Sequence, residues 1–209
     1  MVPAEKHLQI GSLLFPGLDQ IDLTGPFEVL SAIPNSTLRI AAKTLAPIKD
    51  FHGLTMVADK TFDEMPDLDV LHIPGGPGQQ ALMDDEETLS FIRKQAAKAS
   101  SVLSVCTGAR LLAKAELLDG LEATTHHGAI DLLRQTAPKT TVHADRRFVD
   151  NGRVICSAGI AAGIDMSLHV VGRLLNREVA EKTAKQMEYP WSVPSQATQR
   201  RKSSENNQA

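Results

Sequence analysis

Cysteine is scarce in this chain, which holds two in 209 residues, Cys106 and Cys156. So few cysteines exclude the dense disulfide framework of small secreted proteins and favour free thiols in a reducing compartment. Long apolar runs are missing as well, because no segment approaches the ~20 apolar residues that a membrane span needs. The first residues, MVPAEKHLQIG, lack a basic stretch followed by an apolar one, so no secretion signal is expected. Together these absences predict a cytoplasmic protein without a membrane segment.

A surplus of positive charge is also missing. The formal net charge is -3, so nucleic acid is not expected as a main partner. The basic run at 200–202 lies in the polar segment 190–209, which we interpret as a solvated, disordered tail rather than a binding element. The histidines show neither H-x-x-x-H nor H-E-x-x-H spacing, and the glycines match neither G-x-x-x-x-G-K-[ST] nor G-x-G-x-x-G. The sequence therefore predicts no metal site and no nucleotide site.

What is present is an alternation of β-rich and helical segments. Strands are expected over 8–15, 37–43, 68–74, 101–105 and 122–126, with a hairpin or meander over 46–58 and a second hairpin over 146–159. Helical periodicity predicts helices over 24–33, 86–99, 107–118, 129–136, 160–175 and 177–187. Thr24 is expected to cap the first helix and Asp85 the second.

This order favours a single α/β domain over 1–189. We expect a doubly wound, mostly parallel, flavodoxin-like sheet that is sandwiched by helices and carries one antiparallel hairpin. In such sheets, ligands bind at the carboxyl ends of the strands. Three predicted strands leave that edge in loops, after Phe15, after Ile73 and at Cys106, so the functional site is expected there.

The stretch SVCTG places Cys106 between an apolar strand and a new helix. This arrangement is typical of a nucleophile elbow, in which small neighbours permit a tight turn and lift the side chain clear of the sheet. Ser104 and Gly108 are those small neighbours. The N–H groups of the following helix would favour a thiolate. The alternative is that Cys106 packs as a small apolar residue at a strand end, and packing is the only role expected of Cys156.

A nucleophilic thiol needs a partner that handles protons. His126 follows a predicted strand and is one candidate base, and the adjacent His127 is a weaker one. Asp22 is the other candidate, because it follows the first strand and would reach the same sheet edge as Cys106. Its apolar neighbours predict partial desolvation, which raises a carboxyl pKa and allows proton donation near neutral pH. Helix capping or solvent exposure is the alternative role of Asp22.

The loop 74–78, PGGPG, supplies a third component at this edge. Glycine allows backbone N–H groups to approach a ligand closely, and this is why we include Gly75 and Gly76 in the predicted site. The N–H groups of Gly76 and Thr107 would together form an oxyanion hole.

Four stretches together resemble the ThiJ/PfpI superfamily, the glutamine-amidotransferase-like cysteine proteins: LLFPGLDQIDLTGPFEVL, DVLHIPGG, SVCTGARLLAKAELLDGLEATTHH and SAGIAAGID. The resemblance covers about residues 8–189. Within the superfamily, the string IDLTGP and the pair Cys106-Thr107 are most similar to the isocyanide-hydrating members. Peptidase-like members carry histidine directly after the cysteine, where this chain has Thr107.

The resemblance implies an enzyme that converts a small isocyanide to an N-substituted formamide. The terminal carbon of an isocyanide accepts a nucleophile only if it also gains a proton. Cys106 is therefore expected to form a covalent thioimidate while Asp22 supplies the proton. Thr107 would offer its hydroxyl to Asp22 or the substrate and its N–H to the developing charge. The residues expected to surround the substrate are Gly75, Gly76, His126 and Ile160. The resemblance also implies a homodimer, with the cysteine close to the subunit interface, and no cofactor.

One residue departs from the isocyanide-hydrating pattern, which has tryptophan where this chain has His127; this changes the expected pocket shape. Three other functions suit the same residues. Cys106 would be oxidised to a sulfinate in a redox sensor, or would act on small carbonyls in a glyoxalase- or deglycase-type enzyme. The domain would also serve as a ligand-binding regulatory module without activity.

Overall fold

The computed structural model of the protein describes residue 3 and residues 5–191. Its strands are β1 (Leu8–Leu13), β2 (Ser36–Ala42), β3 (Ile48–Lys49), β4 (Thr55–Met56), β5 (Lys60–Thr61), β6 (Val70–Ile73), β7 (Ser101–Val105), β8 (Glu122–Ala123), β9 (Thr141–Val142), β10 (Phe148–Asp150) and β11 (Val154–Ser157). Its α-helices are α1 (Gln20–Ser31), α2 (Glu86–Lys98), α3 (Gly108–Lys114), α4 (Ile130–Thr136), α5 (Ala162–Leu174) and α6 (Arg177–Gln186). Two 3-10 helices span Pro77–Leu82 and His127–Ala129.

Seven strands form one sheet in the order β10-β11-β7-β6-β1-β2-β5. All neighbouring pairs are parallel except β10 and β11, which form the expected antiparallel hairpin. The predicted mostly parallel, doubly wound sheet is therefore confirmed. Strands β7, β6 and β1 lie side by side, so the three loops that leave their carboxyl ends meet at one edge.

Helices cover both faces of the sheet because its central strands are apolar on both sides. Every residue of β6 and β7 is buried. One core cluster joins the sheet to α2, α3 and α4, with Ile92, Leu112 and Leu133 among its members. A second cluster joins the sheet to α1, α5 and α6, with Leu30 and Val171 among its members. The resulting three-layer packing leaves the carboxyl edge of the sheet to the loops.

The first helix begins earlier than the sequence predicts. Asp19 is its N-cap, and the Asp19 carboxylate accepts from the Ile21 N–H at 3.0 Å. Thr24, predicted as the cap, lies inside the helix and donates its hydroxyl to a glutamine one turn earlier. That prediction is wrong because aspartate already satisfies the free N–H groups of the first turn. Pro26 is therefore inside the helix, and Asp22 is carried by the first turn of α1 instead of a loop.

Two segments after the elbow are shorter than expected. The helix following Cys106 ends at Lys114, and Glu116 then adopts a positive φ of 62°. The strand expected over 122–126 is limited to the two residues of β8, which pair with β9 outside the main sheet. The Thr125 hydroxyl donates to the Cys106 carbonyl at 2.6 Å, which draws this segment toward the elbow as a loop.

The packed part of the chain reaches the last described residue. Tyr189 and Trp191 pack against the second core cluster, so packing extends two residues past the expected domain end at 189. Residues 192–209, which make up most of the predicted polar tail, lie outside the described residues. Within the described part of the chain, no helix combines the length and apolar character needed to cross a membrane.

Candidate active site

The predicted elbow at Cys106 is the turn between β7 and α3. Cys106 has a positive φ of 56°, a conformation that strains a residue with a side chain. Its N–H donates to the Ala158 carbonyl at 3.0 Å, and its carbonyl accepts from the Thr125 hydroxyl at 2.6 Å. These two bonds, from segments far away in the sequence, hold the strained turn. The thiol is buried at the carboxyl edge of the sheet.

Asp22 is the acid that faces this thiol. It is completely buried, and its carboxyl group lies within hydrogen-bonding range of the Cys106 sulfur. Its Oδ2 accepts from the Gly75 N–H and its Oδ1 accepts from the Ile160 N–H, both at 3.1 Å. Asp22 therefore joins α1 to the glycine loop and to the turn before α5, and these bonds fix the direction of its carboxyl group.

Burial sets the protonation of both groups. Burial, and then the negative charge of Asp19, raises the pKa of Asp22 from 3.8 to about 7. Burial, and then the charge of Asp22, raises the pKa of Cys106 from 9.0 to about 12, although the Thr107 N–H acts in the opposite direction. Burial and the neighbouring carboxyl group therefore oppose the thiolate expected at Cys106. Loss of hydration outweighs the N–H groups at the start of α3.

The glycine loop packs directly on the elbow. A Cβ added to Gly75 would lie 2.5 Å from the Thr107 nitrogen and 3.0 Å from Asp22 Oδ2, so the site admits only glycine there. The Gly76 N–H donates to Thr107 Oγ1 at 2.9 Å, and this hydroxyl donates to the Gly76 carbonyl at 3.2 Å. The Thr107 hydroxyl thus holds the loop instead of reaching Asp22, and the Gly76 N–H is already engaged. The Thr107 N–H bonds to the Cys106 sulfur.

Ile160 contacts the site through its backbone. Its φ is 53°, which is uncommon for a β-branched residue, and its N–H is the one that Asp22 accepts. Its side chain is 38% exposed, and that of Ile21, which precedes Asp22 in the chain, is 37% exposed. Both residues adjoin Asp22, so partly exposed apolar side chains lie next to the buried acid.

His126 lies beside the site, but the side chain that hydrogen-bonds to the Cys106 thiol is that of Asp22. The His126 Nδ1 accepts from an N–H two residues further along the chain at 3.2 Å. Its ring packs against Gly159 and lies 4.2 Å, between ring centroids, from the ring of His127. Burial, and then the charge of His127, lowers the pKa of His126. A neutral ring in this position suits a pocket wall better than a base for the thiol.

Asp19 is a second carboxylate at this edge, and the sequence reasoning missed it. It is 9% exposed, and its N–H donates to the Gly75 carbonyl at 2.9 Å. Its charge raises the pKa of both Asp22 and Cys106. The signal in the sequence was its position three residues before Asp22, which places the two on one side of a helix.

The remaining candidate groups have simpler roles. Cys156 is completely buried within β11, as expected of a packing residue, and burial raises its pKa to about 11. Among the described residues, no group of three or more histidine, cysteine, aspartate or glutamate side chains is placed to hold a metal ion.

The fold and the site together define a class of protein, a doubly wound α/β domain with a buried acid and a cysteine at a strand–helix elbow. The chain belongs to the DJ-1/PfpI family, whose sequence profile matches residues 9–173. The resemblance to the ThiJ/PfpI superfamily is thus confirmed.

Relatives within the family differ in what they do. An isonitrile hydratase from Pseudomonas putida is 42% identical over 187 residues, which cover 90% of this chain and 81% of that protein. The HTH-type transcriptional regulator GbdR from Pseudomonas aeruginosa is 31% identical over 61% of this chain and 34% of the regulator. The crystal structure of a ThiJ/PfpI family protein from Pseudomonas syringae has a TM-score of 0.84 at 35% identity, covering 94% of this chain and 81% of that one. Because enzymes and regulators share this fold, function must be argued from the site.

Proposed function

We propose that this protein is an isonitrile hydratase, which adds water to a small isocyanide and releases an N-substituted formamide. The observation that carries the proposal is the contact between the Cys106 thiol and the buried, oriented carboxyl group of Asp22. An isocyanide carbon needs a nucleophile and a proton together, and this pair offers both. The identity of 42% with the isonitrile hydratase from Pseudomonas putida supports the same conclusion.

In the first half of the proposed reaction, the pair carries one proton, which starts on the Cys106 sulfur while Asp22 is ionised. The sulfur attacks the terminal carbon as Asp22 takes the thiol proton and delivers it to that carbon. One S–H bond breaks, one C–S bond and one C–H bond form, and the thioimidate R–N=CH–S–Cys106 results. This route needs no free thiolate before substrate binds, which suits the raised pKa of Cys106.

In the second half, water adds to the thioimidate carbon. Asp22 accepts a proton from the water and passes it to the nitrogen, giving the tetrahedral species R–NH–CH(OH)–S–Cys106. The C–S bond then breaks, the hydroxyl proton returns to the sulfur, and R–NH–CHO leaves. The sum is one isocyanide plus one water to one formamide, and Cys106 is regenerated as a thiol.

The surrounding residues orient the pair and shape the pocket. The Thr107 N–H stabilises negative charge that develops on the sulfur, and its hydroxyl fixes the Gly76 peptide. The Gly75 N–H holds the acid in place. We assign Ile160 and His126 to the pocket wall, where they contact the R group of the substrate.

The direct test is incubation with cyclohexyl isocyanide, following the formamide by chromatography and the protein by mass spectrometry. We expect turnover in the wild type, none with Cys106→Ser, none with Asp22→Asn, and partial activity with Asp22→Glu. Cys156→Ser is the matched control and should keep full turnover, because that thiol is buried in β11. Formamide production by Cys106→Ser would overturn the nucleophile assignment, and wild-type behaviour of Asp22→Asn would show that another group moves the proton.

Parallel assays separate the other functions that the family permits. Consumption of methylglyoxal without isocyanide turnover would indicate a glyoxalase- or deglycase-type enzyme. Oxidation of Cys106 to a sulfinate by mild peroxide, without turnover of either isocyanide or methylglyoxal, would indicate a redox sensor. A thermal shift with small ligands and no turnover would indicate a regulatory module.

We also propose that the protein acts as a homodimer with the site near the subunit interface. Exposed apolar side chains support this, since Ile21, Ile160, Phe51 and Leu54 are each more than one third exposed. The Phe51 N–H donates to the Leu18 carbonyl, which attaches the β3–β4 hairpin to the loop before α1. Large exposed apolar side chains are typical of surfaces that another chain covers. Light scattering after gel filtration should give twice the chain mass, and a monomer mass would contradict the proposal.

A further inference from the structure

A groove of about 410 Å³ lies between the 3-10 helix Pro77–Leu82, α3 and α4. None of the residues proposed for isocyanide chemistry lines it. Its volume is within the range of small-molecule sites. The groove is therefore distinct from the cysteine site.

The lining of the groove includes a buried cation with only neutral partners. Arg110 is 8% exposed, and its Nη1 donates to Gln79 Oε1 at 3.2 Å and to Gln80 Oε1 at 2.8 Å. Its Nε donates to the Thr136 hydroxyl at 3.4 Å. Among the described residues, Nη2 has no hydrogen-bond partner, and no carboxylate pairs with the guanidinium. Burying a charge without a counter-charge is costly, so a negatively charged ligand would stabilise this arrangement.

A second buried polar group beside Arg110 is also incomplete. Gln79 is 2% exposed and uses its Oε1 on Arg110, while its buried Nε2 has no hydrogen-bond partner within the described ranges. Buried amide donors are normally satisfied, so an unpaired one next to an unpaired cation is an unusual combination. Both groups are donors, but only Arg110 lines the groove, so the guanidinium is the group that a negatively charged ligand there would meet.

The rim of the groove indicates what else the ligand carries. Lys114 lines it and pairs with Asp84 at 2.8 Å, so these two charges cancel and Arg110 leaves the lining with a surplus of one positive charge. Leu132, which is 45% exposed, and Met83 add apolar surface. One surplus cation beside apolar surface suits a single carboxylate attached to a short apolar group.

We propose that this groove binds a small organic monocarboxylate, with the carboxylate on the guanidinium of Arg110 and the apolar part against Leu132 and Met83. Arginine is the residue best suited to a planar carboxylate, because its donors form a fixed fork. The site is independent of the proposed isonitrile hydration.

The test is a titration of the full chain with sodium hexanoate, followed by calorimetry and by amide chemical shifts, at constant ionic strength set with sodium chloride. Hexanamide, which has the same shape without the charge, is the control ligand. We expect hexanoate to bind and to shift the amides of α3 and α4, and hexanamide to bind at least about tenfold more weakly, the loss expected for one charge-assisted hydrogen bond.

Two variants keep the test decisive. Arg110→Gln should weaken hexanoate binding by about ten- to a hundredfold. Because Arg110 is buried, Leu132→Asp supplies a second test, since it places a negative charge on the groove wall without touching the bonds of Arg110. Leu132→Asp should abolish binding, while Leu45→Asp, at an equally exposed leucine outside the groove, should not. Absence of hexanoate binding to the wild type, equal binding of hexanamide, or full binding by Leu132→Asp would each overturn the proposal.

Discussion

Replacing Asp22 by asparagine should change how the stability of the protein depends on pH. The pKa of Asp22 is about 7 in the folded protein, against 3.8 when the group is hydrated. Between these values the folded state holds a proton that the unfolded state has lost. Folding stability therefore falls as pH rises through this window, because the slope follows the difference in bound protons between the two states.

The size of the effect follows from the two pKa values. They differ by about three pH units, and each unit corresponds to about 1.4 kcal/mol, so the full penalty approaches ~4 kcal/mol above neutral pH. About 1.7 kcal/mol of it is already present at pH 5. The portion that develops between pH 5 and pH 8 is therefore roughly 2 to 3 kcal/mol.

Protonation of His72 changes the stability in the opposite direction to that of Asp22. The contribution of Asp22 must therefore be measured as the difference between the wild type and a variant. Its ring is completely buried in β6, and burial lowers its pKa from 6.5 to about 3, although the nearby Asp22 carbonyl opposes this. The folded state then lacks a proton that the unfolded state gains as pH falls below 6.5. Stability due to His72 falls with acidification, so it cancels part of the Asp22 effect in the wild type.

Urea denaturation of wild type and Asp22→Asn at about pH 5, 6, 7 and 8 isolates the contribution of Asp22. The amide nitrogen of asparagine will face one of the two N–H groups that Asp22 accepts, at a cost of about 1–3 kcal/mol that is the same at every pH. What changes with pH is the difference between the two proteins. It should move in favour of the variant by roughly 2 to 3 kcal/mol from pH 5 to pH 8.

Cys106→Ser is the control for this measurement, because it leaves Asp22 and its burial in place and should keep the pH dependence of the wild type. If the difference in unfolding free energy between the wild type and Asp22→Asn stays constant within about 0.5 kcal/mol from pH 5 to pH 8, the claim that folded Asp22 holds a proton near neutral pH is refuted. A difference that moves in favour of the wild type as pH rises would show that the folded protein stabilises the ionised carboxylate.

Three further outcomes concern activity. The kcat/KM for isocyanide should rise with pH to a plateau above about 7, because the reacting pair carries one proton; a decline above 7 would mean that Asp22 must start protonated. Asp19→Asn keeps a good helix cap but removes a charge that raises the pKa of Asp22. The rise of kcat/KM with pH should therefore occur at lower pH in this variant, and an unchanged pH profile would contradict the coupling of Asp19 to Asp22. Gly75→Ala should reduce kcat by roughly a hundredfold, since the new Cβ would lie 2.5 Å from the Thr107 nitrogen. Gly172→Ala, whose Cβ would meet its nearest neighbour at 3.7 Å, is the matched control, and equal activity of the two alanine variants would rule out the loop contact as the cause.

The start of a helix was predicted correctly from the sequence at α2, where the capping residue was recognised. Asp85 caps α2 as expected, with its carboxylate accepting from the Thr88 N–H at 3.3 Å. At the start of α1 the sequence predicted Thr24 as the cap, whereas the structure has Asp19, because the sequence does not show which turn packs against the sheet. The error matters, since it hid Asp19 from the list of candidate site residues.

Most strands and helices, the mostly parallel sheet and the elbow at Cys106 follow from the sequence alone, because periodicity and turn sterics act over a few residues. The short strands β5 and β9 were not predicted. The sequence also indicated Asp22 as a candidate partner of that cysteine. The protonation of this pair and the hydrogen bonds that hold it depend on the folded structure. Asp22 is held by an N–H that lies 138 residues away in the chain, and the Thr107 hydroxyl is taken by a loop 31 residues before it. Protonation depends on hydration and on neighbouring charges, and both are set by segments that meet only in the folded protein.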